Sequence, residues 1–420
     1  MSELRVDGDR LWRSLMEMAQ VGGTPEGGCR RLALTDEDKQ GLELFRSWAS
    51  EAGCRITQDA VGNLFAERPG SGARRPAVLI GSHLDTQPSG GKFDGAYGTL
   101  SALEVLRTLN DHDVETVAPV VAVSWTNEEG ARFPLPCTGS AVFAGTLSLD
   151  EALAQHATDG PSFGEELRRL DMVGPEAPGE RRVAAYLEAH IEQGPVLEST
   201  RNTIGVVTGG QGLRGLAIRL TGSEAHAGTT PMEHRRDALV GAARIVTAVN
   251  SLPARHPEAL ATVSRVEVEP GSRSVIPGRA RLLVDLRHPE AEGLDRLEAR
   301  VRRLAAELAA GAHLEVEVER FLAMDPVVFD DECVAALRDA AERLGEPWLE
   351  LRSGAGHDAV YVARSIPAAM LFIPCRNGVS HSPEEHAEPE HVRAGCDVLL
   401  HAVLARAGVS PRPRPAPSAV

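Results

Sequence analysis

The stretch Gly81-Ser-His-Leu-Asp-Thr-Gln-Pro-Ser-Gly-Gly-Lys-Phe-Asp-Gly95 follows an apolar run, Ala77-Val-Leu-Ile80. An apolar run of this length, bounded by glycine, predicts a buried strand. His83, Asp85 and Asp94 therefore lie at or just beyond the carboxyl end of that strand. Imidazole and carboxylate groups at such a strand end are suited to a divalent-metal site.

The spacing within this stretch supports one shared site. His83 and Asp85 are two residues apart, so both side chains are expected to leave the strand on the same side. The Gly90-Gly91 pair is expected to turn the backbone sharply and to return Asp94 towards His83.

Composition limits the class of protein. The 420 residues are too many for one ordinary core, which predicts two domains. Asp and Glu number 60 against 44 Lys and Arg, and the net charge of −16 argues against binding to nucleic acid or to anionic membranes. The first residues carry no apolar signal segment, and no run approaches transmembrane length. The six cysteines are scattered without a CxxC pair, so a reduced cytoplasmic protein is expected.

The order of apolar segments predicts an α/β fold with an insert. A strand at 78–82, a helix at 98–109 and a strand at 117–125 indicate a parallel α/β sheet. The order β-α-β-β-α-β then predicts a ferredoxin-like α+β domain, with strands at 213–221, 261–268, 280–286 and 313–321 and helices at 235–252 and 290–310. The α/β pattern resumes with a helix at 333–344 and a strand at 368–373.

These patterns give the domain boundaries. Residues 1–209 and 326–420 are predicted to form an α/β domain, and 210–325 an inserted α+β domain. The proline-rich end, 408–420, is predicted to be disordered.

Two adjacent carboxylates, Glu128 and Glu129, follow the second predicted strand directly. An isolated Glu-Glu pair is more often a solvated acidic turn. Its place beside the strand that leads to His83 and Asp94 favours a metal site instead, with one Glu as a ligand and its neighbour handling protons.

Two further histidines complete the candidate site. His190 stands in His-Ile-Glu-Gln-Gly-Pro195, and His381 follows the last predicted strand. Three imidazoles and two carboxylates at strand ends or loops suit two zinc-like ions that share one bridging carboxylate.

The predicted insert carries two other candidates. His226 lies between a strand and a helix, a position compatible with a local loop histidine. Arg287 ends a strand, and on its own a surface ion pair is the commoner role. An arginine in a cleft, however, is suited to bidentate binding of a carboxylate.

Seven segments together resemble the M20 metallohydrolases, specifically the carbamoylase and allantoate amidohydrolase group that includes β-ureidopropionases. They occur in family order and span most of the chain. They are Gly81-Ser-His-Leu-Asp-Thr, Gly90-Gly-Lys-Phe-Asp-Gly95, Thr126-Asn-Glu-Glu-Gly-Ala-Arg-Phe133, His190-Ile-Glu-Gln-Gly-Pro195, His226-Ala-Gly-Thr-Thr-Pro231, Gly354-Ala-Gly-His-Asp-Ala359 and Ser380-His-Ser-Pro383. Many other M20 enzymes have an acidic ligand where this chain has His190.

The resemblance implies a role for each matched residue. One divalent ion would be bound by His83 and His190, the other by Glu129 and His381, and Asp94 would bridge them. The favoured metal is zinc, with manganese, cobalt or nickel as alternatives. The remaining roles are Asp85 holding His83, Glu128 as general base, and substrate contacts from Gln193, His226, Arg287, Gly356 and Arg273.

One segment departs from the family pattern. Relatives commonly read Asn-Val-Ile-Pro where this chain has Arg273-Ser-Val-Ile-Pro277. Arg273 or Ser274 therefore occupies a region in which relatives use an asparagine for the substrate.

The resemblance implies a homodimeric enzyme, with His226 reaching the partner's site, that hydrolyses the linear C–N bond of an N-carbamoyl (ureido) acid. It also implies that residues 1–209 and 326–420 form the catalytic domain and that 210–325 form a lid and dimerisation domain. The products would be an amino acid, carbon dioxide and ammonia. An aminoacylase or dipeptidase of the same family is the nearest alternative, and a metal-binding protein without hydrolytic activity is a remote one.

Overall fold

The computed structural model describes residues 4–72 and 75–410. The chain divides into two compact units, 1–209 with 328–420, and 210–327. The strands are β1 Arg55–Gln58, β2 Leu64–Arg68, β3 Ala77–His83, β4 Val120–Trp125, β5 Val183–Ile191, β6 Ile204–Gly210, β7 Gly212–Thr221, β8 Ala225–His226, β9 Leu260–Glu269, β10 Val275–Ile276, β11 Arg279–His288, β12 Glu315–Met324, β13 Val327–Val328, β14 Trp348–Ser353 and β15 Ala368–Ile373. The α-helices are α1 Gly8–Met18, α2 Asp36–Glu51, α3 Ala96–Asp111, α4 Thr138–Phe143, α5 Leu149–Ala154, α6 Phe163–Arg169, α7 Val196–Thr200, α8 Ala238–Asn250, α9 Ala291–Ala310, α10 Asp331–Leu344, α11 Asp358–Val362 and α12 Pro389–Ala407.

The first unit is built on a nine-stranded sheet. Its strand order is β1-β2-β4-β3-β5-β15-β6-β13, with β14 also paired to β6. The four central strands β4, β3, β5 and β15 run parallel. Because the carboxyl ends of parallel strands meet at one edge of a sheet, loops that follow these four strands converge there.

Burial explains why the central strands form. Every residue of β3, β4 and β15 is buried. Continuous Val, Ile, Leu and Ala runs of this kind are typical of parallel strands whose two faces are both covered. Helix α3 packs against β3, β4 and β5, and α12 packs against β3, β5 and β15. The α/β class predicted from the sequence is confirmed.

The second unit has the predicted ferredoxin-like arrangement. Its four-stranded sheet has the order β12-β7-β11-β9, and each neighbouring pair is antiparallel. Helices α8 and α9 supply apolar side chains to its core, for example Ile245 and Val301. A two-stranded ribbon, β8 with β10, lies outside this sheet.

Several element ends differ from the sequence-based expectations. Helix α8 begins at Ala238, because the Asp237 carboxylate accepts hydrogen bonds from the amides of Leu239 and Val240 and so caps the helix. The chain leaves the second unit at Val327–Val328, later than the predicted boundary, because β13 rejoins the large sheet there.

The predicted disordered end is partly ordered. The amide of Ser410 donates to the Glu115 carbonyl, and the amide of Val117 donates to the Gly408 carbonyl. These backbone bonds fix residues 408–410, whereas 411–420 lie outside the described residues. Within the described ranges, the helices are all too short or too polar to cross a lipid bilayer. All six cysteines lie in these ranges, and each is a free thiol.

Candidate metal centre

The structure brings the five predicted ligands to the carboxyl edge of the central strands. His83 is the last residue of β3, and Asp94 lies between β3 and α3. Glu129 follows β4, His190 is near the end of β5, and His381 lies in the loop after β15. Sheet topology therefore assembles residues that are up to 298 positions apart in the chain.

The ligands form two groups that share one carboxylate. The first contains His83, Asp94 and His190, the second Asp94, Glu129 and His381, and the potential ligand atoms within each group lie within 4.8 Å of one another. Asp94 Oδ1 is 3.1 Å from His190 Nε2 and 3.6 Å from His83 Nε2. Asp94 Oδ2 is 3.1 Å from His381 Nε2, which is 3.4 Å from Glu129 Oε2. Each oxygen of Asp94 thus faces one group.

The two buried imidazoles are oriented as metal ligands would be. His83 Nδ1 lies 2.9 Å from the main-chain carbonyl of Asp85, and His190 Nδ1 lies 2.9 Å from that of Ile191. A carbonyl only accepts, so each Nδ1 carries a proton, and in the neutral ring each Nε2 then has the lone pair that a metal ion binds. His83 Nε2 is buried and has no hydrogen-bond partner among the described residues. A divalent cation would use this lone pair, so the donor set fits such an ion.

The electrostatics of the centre are dominated by buried acids and imidazoles. Burial would raise the pKa of Asp94, but hydrogen bonds from the protonated rings of His190 and His381 outweigh it and hold that pKa well below its usual range. Burial, followed by repulsion from Asp94, raises the pKa of Glu129 to about 7. The hydrogen bond with Asp94 raises the pKa of His381 to about 9 despite its partial burial.

Glu128 differs from its neighbour Glu129. It belongs to neither group, and its Oε2 lies 3.5 Å from His83 Nε2. Its Oε1 accepts a hydrogen bond from the Cys137 thiol at 3.4 Å. Burial raises its pKa well above the usual value, and the carboxylates of Asp358 and Glu129 add to the shift. Glu128 is therefore a buried carboxyl group beside the ligands rather than among them.

Asp85 contacts both the His83 ring and the turn that follows β4. It holds His83 through its main-chain carbonyl, since its carboxylate Oδ1 is 3.7 Å from His83 Nδ1. The carboxylate instead accepts from the amides of Glu128 and Glu129, at 3.1 and 3.2 Å. Asp85 thus links the His83 turn to the Glu128–Glu129 turn.

The glycines of the loop between β3 and α3 are required by close side-chain contacts rather than by the sharp turn expected at Gly90-Gly91. Neither Gly90 nor Gly91 has a positive φ, whereas Gly95 has a φ of 64°. A Cβ at Gly95 would lie 2.3 Å from the His83 ring, and one at Gly91 would lie 2.1 Å from the Glu385 carboxyl group. The absent side chains allow close approach of His83 and Glu385 to this loop.

Sequence reasoning missed several polar residues around the centre. Gln87 donates to Glu129 Oε2 at 2.7 Å, and Ser380 Oγ lies 3.1 Å from Asp94 Oδ2. Arg31 is buried, and its Nε donates to the Leu84 carbonyl at 2.7 Å, inside the His83–Asp85 turn. Nothing in the local sequence pattern marks these residues, because each acts across a long separation in the chain.

A third group of potential ligands consists of Glu188, His190 and His357. In this group, the Glu188 carboxylate already accepts hydrogen bonds from the protein. Glu188 accepts from the Ser82 hydroxyl at 2.6 Å and from the Ala359 amide at 2.8 Å. With both carboxylate oxygens engaged, Glu188 acts as a structural acceptor. The His357 ring packs 4.5 Å from that of His190, and burial lowers the pKa of His357 well below its usual value.

The predicted substrate residues fall in both units. In the first unit, Gln193 Nε2 lies 2.8 Å from Asp94 Oδ2, and Gly356 is exposed directly before His357. In the second unit, His226 is exposed and pairs with Val275 across the β8–β10 ribbon, which places it near Arg273.

Arg287 forms an ion pair, the commoner of the two roles considered for it from the sequence. Its Nε lies 2.9 Å from Asp285 Oδ1, and both side chains are about one-third exposed. Within the second unit Arg287 pairs with Leu213, at the opposite end of the β7–β11 ladder from Thr221 and Arg279.

Comparison with known protein families shows the family of this chain. Residues 79–405 match the model of peptidase family M20/M25/M40. The chain belongs to this family, which confirms the resemblance inferred from the motifs.

The similar proteins are amidohydrolases. The N-carbamoyl-L-amino-acid amidohydrolase of Rhizobium meliloti is 46% identical over 406 residues, covering 96% of this chain and 98% of the relative. The N-carbamoyl-L-amino acid amidohydrolase of Geobacillus stearothermophilus is 38% identical, covering 95% and 98%. A crystal structure of a hydantoinase/carbamoylase family amidase from Burkholderia multivorans is 51% identical, with a TM-score of 0.93 and coverage of 96% and 98%.

The Asp85 network gives a stability prediction for the metal-free protein. Asp85→Ala leaves the buried amide of Glu128 and the partly buried amide of Glu129 without an acceptor, which costs about 1–3 kcal/mol for each amide. We expect the free energy of unfolding to fall by about 2–5 kcal/mol, and by less for Asp85→Asn, which keeps one acceptor oxygen.

Tryptophan fluorescence during denaturant unfolding measures this directly, because all four tryptophans (Trp12, Trp48, Trp125 and Trp348) lie in the first unit. The exposed Asp150→Ala is the control and should stay within about 0.5 kcal/mol of wild type. If Asp85→Ala is as stable as this control, the bridging role of Asp85 is wrong.

Proposed function

We propose that this protein is a metal-dependent N-carbamoyl-L-amino-acid amidohydrolase. The observation that carries the proposal is the pair of ligand groups that share Asp94, in a chain 46% identical to an enzyme of that name. The substrate would be a small ureido acid, cleaved at its linear C–N bond.

The metal centre would hold two divalent ions. His83 and His190 would bind one, Glu129 and His381 the other, and Asp94 would bridge them. Imidazole and carboxylate ligands favour zinc, and also suit manganese, cobalt or nickel. When bound, the ions would polarise the ureido carbonyl and lower the pKa of the attacking water.

Glu128 is the proposed general base. Its carboxyl group is buried next to His83 and is not part of either ligand group. It would take a proton from the attacking water as that water adds to the carbamoyl carbon. It would then deliver the proton to the departing amino nitrogen. The carbamate released would decompose to carbon dioxide and ammonia, and the free amino acid would remain.

His226 is proposed to stabilise the developing oxyanion. Its Nδ1 accepts a hydrogen bond from the Gly228 amide at 3.0 Å. In the neutral ring the proton therefore resides on Nε2, the donor that an oxyanion requires.

Gln193, Arg273, Gly356 and Arg287 are the remaining proposed substrate contacts. The substrate carboxylate would use the guanidinium of Arg287, in competition with Asp285.

The second unit supports a homodimer on geometric grounds. His226 lies near the Arg279 end of β11, because β10 directly precedes that end. Arg287 is eight residues further along the strand, which corresponds to about 27 Å. One small ureido acid cannot contact both residues of the same chain at this separation. If both contact substrate, His226 must serve the site of a partner subunit.

Ammonia release tests the proposed reaction. Metal-loaded protein would be incubated with N-carbamoyl-L-amino acids, their D enantiomers, allantoate, β-ureidopropionate, N-acetyl-L-amino acids and dipeptides. We expect ammonia from N-carbamoyl-L-amino acids, with little reaction of the D enantiomers. Cleavage of the N-acetyl acids or dipeptides without ammonia from any ureido acid would instead establish an aminoacylase or dipeptidase.

Glu128→Gln extends this test to the chemical step. We expect kcat to fall by about two to four orders of magnitude, as for the loss of a general base, while metal content stays near wild type. Retained activity with loss of metal would show that the roles of Glu128 and Glu129 are exchanged.

Mixed dimers test the role of His226 in the partner's site. Glu128→Gln and His226→Ala proteins, each inactive alone, should regain activity when mixed, since one site in each mixed dimer is intact. Subunit exchange would be shown independently with differently tagged chains. Exchange without recovery of activity would mean that His226 does not act across the dimer.

A further inference from the structure

Glu385 is a buried acid that the proposed chemistry does not use. It lies between His381 and helix α12, and only 3% of its surface is exposed. Its neighbour Glu384 is exposed. Burying a carboxyl group is unfavourable unless hydrogen bonds compensate for the lost water, so its contacts indicate what it does.

One oxygen of Glu385 fixes the backbone of the bridging ligand. Its Oε1 accepts hydrogen bonds from the amides of Phe93 and Asp94, at 2.8 and 3.1 Å. These two amides immediately precede the Asp94 side chain. Glu385 therefore fixes the backbone position from which the Asp94 side chain extends, although it is 291 residues away in the chain.

The other oxygen competes with Asp94 for a single proton. Ser380 Oγ lies 3.0 Å from Glu385 Oε2 and 3.1 Å from Asp94 Oδ2. A hydroxyl carries one proton and donates it to one acceptor at a time. When Ser380 donates to Glu385, Asp94 Oδ2 accepts one hydrogen bond fewer, although Gln193 Nε2 still lies 2.8 Å from it.

The fold makes room for this carboxyl group. A Cβ at Gly91 would lie 2.1 Å from Glu385 Oε1, so the close approach requires glycine at that position. The surroundings thus accommodate one carboxyl group, with space above Gly91 and hydrogen bonds from the two amides and the Ser380 hydroxyl.

We propose that Glu385 is a positioning residue for the metal centre: it anchors the backbone of Asp94 and accepts the Ser380 proton, so that this proton does not compete with a cation for Asp94 Oδ2. This inference rests on the dinuclear centre of the proposed function. It adds a residue that contacts neither the ions nor the substrate. Ser380, the other partner of Glu385, directly precedes His381 of the second ligand group.

Glu385→Gln separates the two roles of Glu385, acceptance of the Ser380 proton and anchoring of the Asp94 backbone. The Gln side chain has the same shape and keeps one oxygen for the Phe93 and Asp94 amides. Its NH₂ group, however, is a donor, so it would turn the Ser380 proton towards Asp94 Oδ2. Zinc affinity of the metal-free protein, measured by competition with a chromogenic chelator, should fall by about 10- to 100-fold.

Two further variants complete the experiment. Glu384→Gln is the matched control, and its zinc affinity should stay within about twofold of wild type, since surface changes have little effect. The double variant Glu385→Gln/Ser380→Ala has no hydroxyl proton to misdirect, so it should bind zinc more tightly than Glu385→Gln alone. Thermal unfolding of each metal-free protein checks that all variants fold.

The outcomes separate this inference from the proposed reaction. Wild-type zinc affinity in Glu385→Gln, or no recovery in the double variant, would overturn it. Zinc binding uses no substrate, so protein that binds zinc as described but hydrolyses no ureido acid would contradict only the proposed reaction. Wild-type protein that binds none of zinc, manganese, cobalt and nickel would overturn both.

Discussion

The structure of the centre depends on one buried carboxylate, that of Asp94. Its oxygens lie 3.1 Å from His190 Nε2 and 3.1 Å from His381 Nε2, on opposite groups of ligands. A carboxylate removed from water must be compensated by cations or donors. Here imidazoles surround it, and their hydrogen bonds hold its pKa well below the usual range. The same charge suits Asp94 to the bridging role proposed for it.

The fold places this carboxylate by several independent constraints. Parallel pairing of β3 with β4 and β5 aligns the strand ends that carry the other ligands. Gly95 lets the loop pass within close contact of the His83 ring, and Glu385 holds the Asp94 amide. Arg31 fixes the His83–Asp85 turn through the Leu84 carbonyl. A substitution far from the ions can therefore disturb the centre through any of these contacts.

The sequence predicts the ligands and the α/β class because both leave local signals. Buried parallel strands appear as apolar runs, and ligands follow those runs directly, as His83 and Glu129 do. The supporting residues leave no such signal. Glu384 and Glu385 are indistinguishable by pattern, and only the folded chain shows that one is exposed and the other buried. Likewise, the preference of Asp85 for backbone amides depends on how two turns meet in space.

The central claim is that Asp94 joins two ion sites, and metal stoichiometry tests it most directly. Metal-free wild-type protein, Asp94→Ala and His381→Ala would be loaded with zinc, freed of excess ion and analysed by elemental mass spectrometry. The account predicts two zinc ions per chain for wild type, one for His381→Ala, and loss of both from Asp94→Ala. A single ion in wild type, or an Asp94→Ala protein that retains both ions, would contradict it.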